Sequence, residues 1–429
     1  RHMGFAQPET VAGLIRDWHH GKRRATRTKR ARELITELTP ALLRQLAATA
    51  HPNQAFIRFD EFLSNLPAGV QLFSLFSSHP KLLELTATLM GSAPALAERL
   101  AHAPELLDIV LTSDFYSALE EESPLPALLQ SSHSFEDTLA LLRRHKIEQS
   151  FLIGVQLIRQ QITLSQAATA LTLLTETILR ALQEALEAEF AKQYGQLPGS
   201  ALSVVALGRL GARTLTFGSD LDLLFVYDVE DPEVRSDGKR PFTAGVYYNR
   251  LCQRFVGALT ALDRGGRLYE VDTRLRPSGK DGALAVSADG FDTYFNDLAW
   301  TFEFMALTKA RTVTGPEALC NTLQHNITQQ LRKTRDPQTL ARDIDRMREK
   351  VTAEFPTDNP WNVKYIRGGV MDLEFIEQYF ILREAHQYAL LSIGTAQADG
   401  SGRCRNAASG RAFPERRAGS IAPVRQQGF

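Results

Sequence analysis

Two carboxylates separated by one residue, Asp220 and Asp222, are the part of this sequence best suited to chemistry. They lie in Phe217-Gly218-Ser219-Asp220-Leu221-Asp222-Leu223-Leu224-Phe225, a glycine turn leading into an apolar run. On a strand, successive side chains alternate between faces, so Asp220 and Asp222 share one face about 7 Å apart while Leu221 and Leu223 take the other. Paired carboxylates beside a turn suit Mg²⁺, a hard cation that takes oxygen ligands and keeps water or substrate phosphate for the rest of its shell. The Gly218-Ser219 turn adds backbone N–H groups and a hydroxyl able to face a phosphate.

A second charged stretch, Tyr269-Glu270-Val271-Asp272-Thr273-Arg274-Leu275-Arg276-Pro277, alternates at period two. As a strand it puts Glu270, Asp272, Arg274 and Arg276 on one face and Val271 and Leu275 on the other. Beside the first strand, Asp272 supplies a third carboxylate for a two-metal site of roughly 3.5–4 Å separation, and the arginines neutralise phosphate oxygens. Each piece alone has a plainer reading. Asp-x-Asp is common in loops and at strand ends, and Asp272 with Arg274 also has the make-up of a surface ion pair worth less than about 1 kcal/mol. Three acids, two arginines and a glycine turn together point to a phosphoryl-handling site. Gly208-x-x-Gly211 carries less, because its glycines suit a tight turn after a strand without any further role.

These residues need a scaffold, and the sequence supplies one of mixed texture. From Val11 to about Tyr194 apolar residues recur every three or four positions, predicting short helices. Prolines predict breaks at Thr39-Pro40, His51-Pro52, Leu66-Pro67, His79-Pro80, Ala103-Pro104 and Ser123-Pro124. The basic run from Gly21 to Arg32 reads as a solvated helix face. After Pro198-Gly199 a sheet begins, with strands expected at Leu202–Leu207, Leu221–Tyr227, Leu268–Leu275 and Ala283–Ser287, and a helix from Thr243 to about Leu262. Helical periodicity resumes near Asp289; Lys309 and Arg311 read as lying on a strand, and from Pro316 to His386 the chain again reads as helices. From Ser392 the chain is rich in Gly, Ala, Ser and Arg without period, which predicts disorder and points to a native helix truncated or read out of frame just before it.

Composition bounds the function. The 429 residues are 44% hydrophobic, enough for more than one core, and Lys+Arg and Asp+Glu both number 49. Zero net charge argues against nucleic acid as a partner. The absence of a long apolar run argues against a membrane span, and the expected location is the cytoplasm. The opening Arg1-His2-Met3 reads as the start of a piece of a longer protein. Cys252, Cys320 and Cys404 stand far apart, supporting neither a disulfide framework nor a zinc site.

The Gly-Ser turn, the Asp-x-Asp pair and the third Asp resemble the signature of nucleotidyltransferases of DNA polymerase β type. Five stretches sharpen this: Gly208–Gly211, Gly218–Leu223, Tyr269–Gly279, Ala306–Arg311 and Gly368–Phe375 look like motifs found in that order in the glutamine synthetase adenylyltransferase family. They are similar to its C-terminal, adenylylating half, over about residue 30 to His386. Ala212 departs from the pattern, standing where a glycine is usual, and so does the tail after about Leu391.

The resemblance implies an α+β fold: a helical N-terminal region (1–150), a nucleotidyltransferase catalytic domain (151–318), a helical C-terminal region cut short (319–388) and a disordered tail (389–429). It implies transfer of AMP from ATP to a tyrosine hydroxyl of glutamine synthetase, with a nitrogen-signalling protein and glutamine as regulators. Asp220, Asp222 and Asp272 would hold two Mg²⁺ ions, with Asp272 the proton acceptor. Gly218, Ser219, Arg274, Arg276 and Lys309 would contact ATP phosphates, with Arg311 a further candidate, and Asp372 and Glu374 would either act or simply favour a helix N-terminus. Two competing expectations are phosphorolytic removal of AMP by the same acids and a catalytically silent docking module. Three mutually repelling carboxylates kept together argue against the latter.

Overall fold

The computed structural model describes residues 3–111, 125–130, 132–263 and 266–386. The expected tail and the break at Ser123-Pro124 lie outside them. The protein is α+β, with many helices and one small mixed sheet, and it divides into two compact units. The first takes residues up to 198 with 214–220 and 233–271; the second takes 199–213, 221–232 and the chain from 272. No helix among the described residues is long and apolar enough to cross a membrane.

The first unit is helical, and its helices begin where local chemistry dictates. Pro8, Pro52, Pro80 and Pro94 each occupy the first turn, where a missing N–H costs nothing. Thr28 and Ser134 accept backbone N–H bonds from Ala31 and Asp137, and Thr163 with Gln166 forms a reciprocal cap at the head of Leu164–Tyr194. Pro40 departs from expectation, lying inside the helix Lys29–Ala47. Leu34, Ile35 and Leu38 before it and Leu42 and Leu46 after it are all buried on one face, and that shared burial outweighs one lost backbone bond. The centre of this unit is aromatic: Trp18, Phe56, Phe59, Phe62, Phe73 and Phe76 are fully buried, with Trp18 stacked on Phe56 at 5.0 Å.

The second unit is built on the sheet of β1 (Ser200–Ala206), β2 (Leu221–Val229), β3 (Val271–Asp272), β4 (Ala285–Ser287) and β5 (Arg311–Thr314), in the order β3-β2-β1-β5 with β4 also on β2. β1 (Ser200–Ala206) runs antiparallel to β2 (Leu221–Val229), pairing Ala206 with Leu223 and Ser200 with Val229. β4 (Ala285–Ser287) runs parallel to β2, and β5 (Arg311–Thr314) antiparallel to β1. β1 and the middle of β2 are buried almost without interruption, as strands covered on both faces must be. Val205, Leu224 and Val226 pack with Phe291, Met305, Leu323, Ile327 and Leu340 from the following helices.

The expected strand Leu268–Leu275 is cut to β3 (Val271–Asp272). It stops because Asp272 Oδ1 accepts the Arg274 N–H at 2.8 Å and Thr273 O accepts the Arg276 N–H, turns that divert the backbone from pairing. Arg274 and Arg276 therefore do not continue a charged strand face; they belong to the turns beyond it.

Candidate active site

β2 carries the central acid. Asp222 is half-buried one residue inside the strand, and its carbonyl accepts the Leu207 N–H at 2.9 Å, tying the head of β2 to the end of β1. The chain leaves β1 through the helical turn Gly208–Gly211. Gly208 has φ +52°, and a Cβ there would stand 2.0 Å from Asp222 Oδ2, so the acid lies directly against this backbone. Gly211 is equally constrained, since a Cβ would meet Lys309 O at 1.9 Å. Arg311 closes the turn's far end, donating to Leu210 O at 3.1 Å and Gly211 O at 3.4 Å. The two glycines thus hold a strand–turn–strand seat under Asp222, a stronger role than their spacing conveyed.

Asp220 directly precedes β2 and is exposed. In the loop ahead of it, Thr216 N donates to Ser219 Oγ at 3.0 Å and Ser219 N to Thr216 O at 3.1 Å, so the Ser219 hydroxyl shapes its own turn. Gly218 is exposed with open space around its Cα.

Asp272 is committed to Arg274. Nε reaches Oδ1 at 3.0 Å and Oδ2 at 2.8 Å, and Nη2 reaches Oδ2 at 2.5 Å. Partial burial pushes the Asp272 carboxyl up, but the Arg274 hydrogen bonds and charge outweigh it and hold the group below the ordinary carboxylate range. Arg276 serves its loop, donating to Gly282 O, Thr273 O and Lys280 O at 2.9–3.1 Å. Lys309 Nζ pairs with Glu374 Oε1 at 3.2 Å.

Asp372 has a different employment: it accepts Gly368 N–H and pairs with Arg348, which also donates to Thr352 Oγ1 at 2.7 Å and Tyr365 O at 2.9 Å. Sequence reading passed over Arg348, although it continues the buried stripe Leu340-Ile344 at helical spacing. A lone arginine on an apolar stripe signals a buried partner.

Among the described residues, no three His, Cys, Asp or Glu side chains gather as a ready-made cation cluster. Arg274 now neutralises Asp272, as a cation would. The donor chemistry nonetheless fits Mg²⁺, since Asp220, Asp222 and Asp272 offer only hard carboxylate oxygen.

A sequence profile described as glutamate-ammonia ligase adenylyltransferase matches residues 83–326, more than half of the chain. The chain belongs to this adenylyltransferase family. Relatives named bifunctional glutamine synthetase adenylyltransferase/adenylyl-removing enzyme agree with the motif resemblance. That from Mesorhizobium japonicum is 40% identical over 92% of this chain and 40% of its own length, and that from Rhizobium meliloti is 40% identical over 89% and 39%. The relative from Bartonella quintana is 36% identical over 92% of this chain and 41% of its own. The chain therefore spans about 40% of the length of these curated relatives.

Proposed function

We propose that this chain transfers AMP from ATP to a tyrosine hydroxyl of glutamine synthetase in the cytoplasm, releasing pyrophosphate. The observation that carries the reading is Asp222 seated against the Gly208 backbone at the joined ends of β1 and β2, in a chain of this family. The relatives' names cover both adding and removing AMP; the motifs Tyr269–Gly279 and Ala306–Arg311, which resemble the adenylylating half, favour addition. Regulation by a nitrogen-signalling protein and by glutamine rests on the same resemblance.

A tyrosine hydroxyl, of pKa about 10, must lose its proton to attack the α-phosphorus. Asp220, Asp222 and Asp272 would hold Mg²⁺, which when bound supplies charge neutralisation for the triphosphate and for the departing pyrophosphate. Asp272 takes the tyrosine proton once Arg274 has turned from it to a phosphate oxygen. Until then Arg274 keeps the carboxylate ionised, which suits a ligand better than a base. Lys309 has the same choice between Glu374 and phosphate. Gly218, with open space around it, lets a phosphate approach the backbone, and Ser219 holds that turn in shape. Arg276 keeps the loop after β3 in place.

The test is transfer of label from α-labelled ATP to glutamine synthetase with Mg²⁺, beside an Asp220→Asn, Asp222→Asn double variant. Label with the intact acids alone supports both reaction and site. Phosphate-dependent release of AMP from labelled synthetase, without transfer, replaces the reading with the reverse reaction. Neither activity in a folded protein leaves the docking module.

A further inference from the structure

In the first unit two cations, Arg99 and Lys146, are half-buried without a carboxylate partner, and the charge of one acts on the other. Arg99 lies on the helix Pro94–His102 and Lys146 on Phe135–Ile158. The Arg99 Nη1 is buried and has no hydrogen-bond partner. Lys146 Nζ donates to Leu268 O and sits 4.2 Å from the centre of the Tyr269 ring. The nearby acids are engaged elsewhere: Asp263 pairs with Arg143 at 3.5 Å and Glu148 with Arg144 at 2.7 Å.

Tyr269 is not the missing anion. Burial pushes its phenol well above its ordinary range, outweighing the opposing hydrogen bond from Thr175 Oγ1 at 3.0 Å and the Arg99 charge, so it stays neutral. Burial, and next the Arg99 charge, push the Lys146 ammonium down to about 8, while burial alone lowers Arg99. His145, buried on the same helix, is pushed down by burial and adds no negative charge.

Two desolvated like charges destabilise a fold unless something answers them. We propose that Arg99 and Lys146 form a binding site for a small oxyanion, phosphate or carboxylate, in the helical unit. The planar guanidinium offers a fork to two oxygens and the ammonium a point charge to a third, which both ligand types can use. Tyr269 forms an apolar wall beside them. The site is separate in its residues from the acids proposed for catalysis. Leu268 and Tyr269 nevertheless lead along the chain into Glu270, Val271 and Asp272, so an anion held here stiffens the segment that delivers Asp272.

The experiment is thermal unfolding of the whole chain in inorganic phosphate and, separately, succinate, each balanced with chloride to constant ionic strength, with titration calorimetry of each anion. The proteins are wild type, Arg99→Met and Lys146→Met. A saturable rise of several degrees in the wild type, lost in both variants, with calorimetric binding lost in parallel, supports the site. The more effective anion then identifies the ligand class. Without added anion, Lys146→Met should melt higher than wild type, since it removes a half-buried charge that has no carboxylate to offset its desolvation. No wild-type response to either anion, by melting or calorimetry, overturns the proposal. So does a response that survives in both variants, which places the anion elsewhere. The calorimetric arm on the wild type stands even if a variant fails to fold.

Discussion

The aromatic heart of the first unit and the charged strand ends of the second solve opposite problems. Around Trp18 a single acid is admitted, and Asp60 is fully used: it accepts Trp18 Nε1 at 2.7 Å and both arms of Arg23 at 2.8 Å. Position there is set by packed volume. Around Asp222 position is set by backbone approach, through two glycines whose missing Cβ atoms leave room for a carboxylate on one side and a carbonyl on the other. A region organised by volume should lose stability when its side chains are cut. One organised by close backbone should lose activity first.

The sharpest way to break this contrast is Asp222→Asn. It should reduce AMP transfer by about a thousandfold while leaving the unfolding midpoint nearly unchanged, because it removes charge but little volume. A large stability loss would show that Asp222 is structural. Next comes Trp18→Ala, expected to cost roughly 3–5 kcal/mol in urea titration through the cavity and the loss of a donor to Asp60. Arg348→Ala tests the exception, a buried ion pair in the second unit. It should cost a similar roughly 3–5 kcal/mol by leaving Asp372 without its partner.

A smaller effect is expected from pH. Lys146 releases its proton near 8 in the folded protein but only near its ordinary 10.5 when unfolded. Between those values the unfolded chain binds the extra proton, so stability rises with pH by about 2–3 kcal/mol from this group. Cys252 acts oppositely from about pH 9, and Tyr247 and Tyr269 above about 10, since burial raises each and the folded state retains the proton. The rise should therefore be read as wild type minus Lys146→Met between pH 8 and 10, and equal slopes would show that Lys146 is not desolvated. Smallest is Thr163→Ala, about 1 kcal/mol, through the lost cap of Leu164–Tyr194.

Much of the scaffold was legible in the sequence, for reasons that also explain the misses. β1 and β2 announced themselves because strands covered on both faces need unbroken apolar runs, and several helix starts, at Pro8, Pro52, Pro80 and Pro94, carried a proline at a tolerant position. The segment after Asp272 was misread because alternating charge arose from turn-forming side chains, not from a paired strand. Pro40 misled because burial on both sides of it is a tertiary fact. Asp220, Asp222 and Asp272 could be picked out by type and spacing. That Arg274 grips Asp272, or that Lys309 O lies against Gly211, could not, since neither contact follows from local pattern. Arg348 was passed over although it ends the apolar stripe Leu340-Ile344, whereas Lys146, beside Arg143, Arg144 and His145 on its helix, gave no such signal.

The parallel pairing of β4 with β2 bears on the order of assembly. β1 and β2 meet across a short connection, whereas β3 and β4 return to β2 only after the chain has passed through Ala244–Thr260. Contacts closing a short loop form at low entropic cost, and those across a long excursion wait until the excursion has ordered. Asp222 is thus seated early in folding and Asp272 arrives late. A chain released unfinished would carry Asp222 in its seat without Asp272 beside β2.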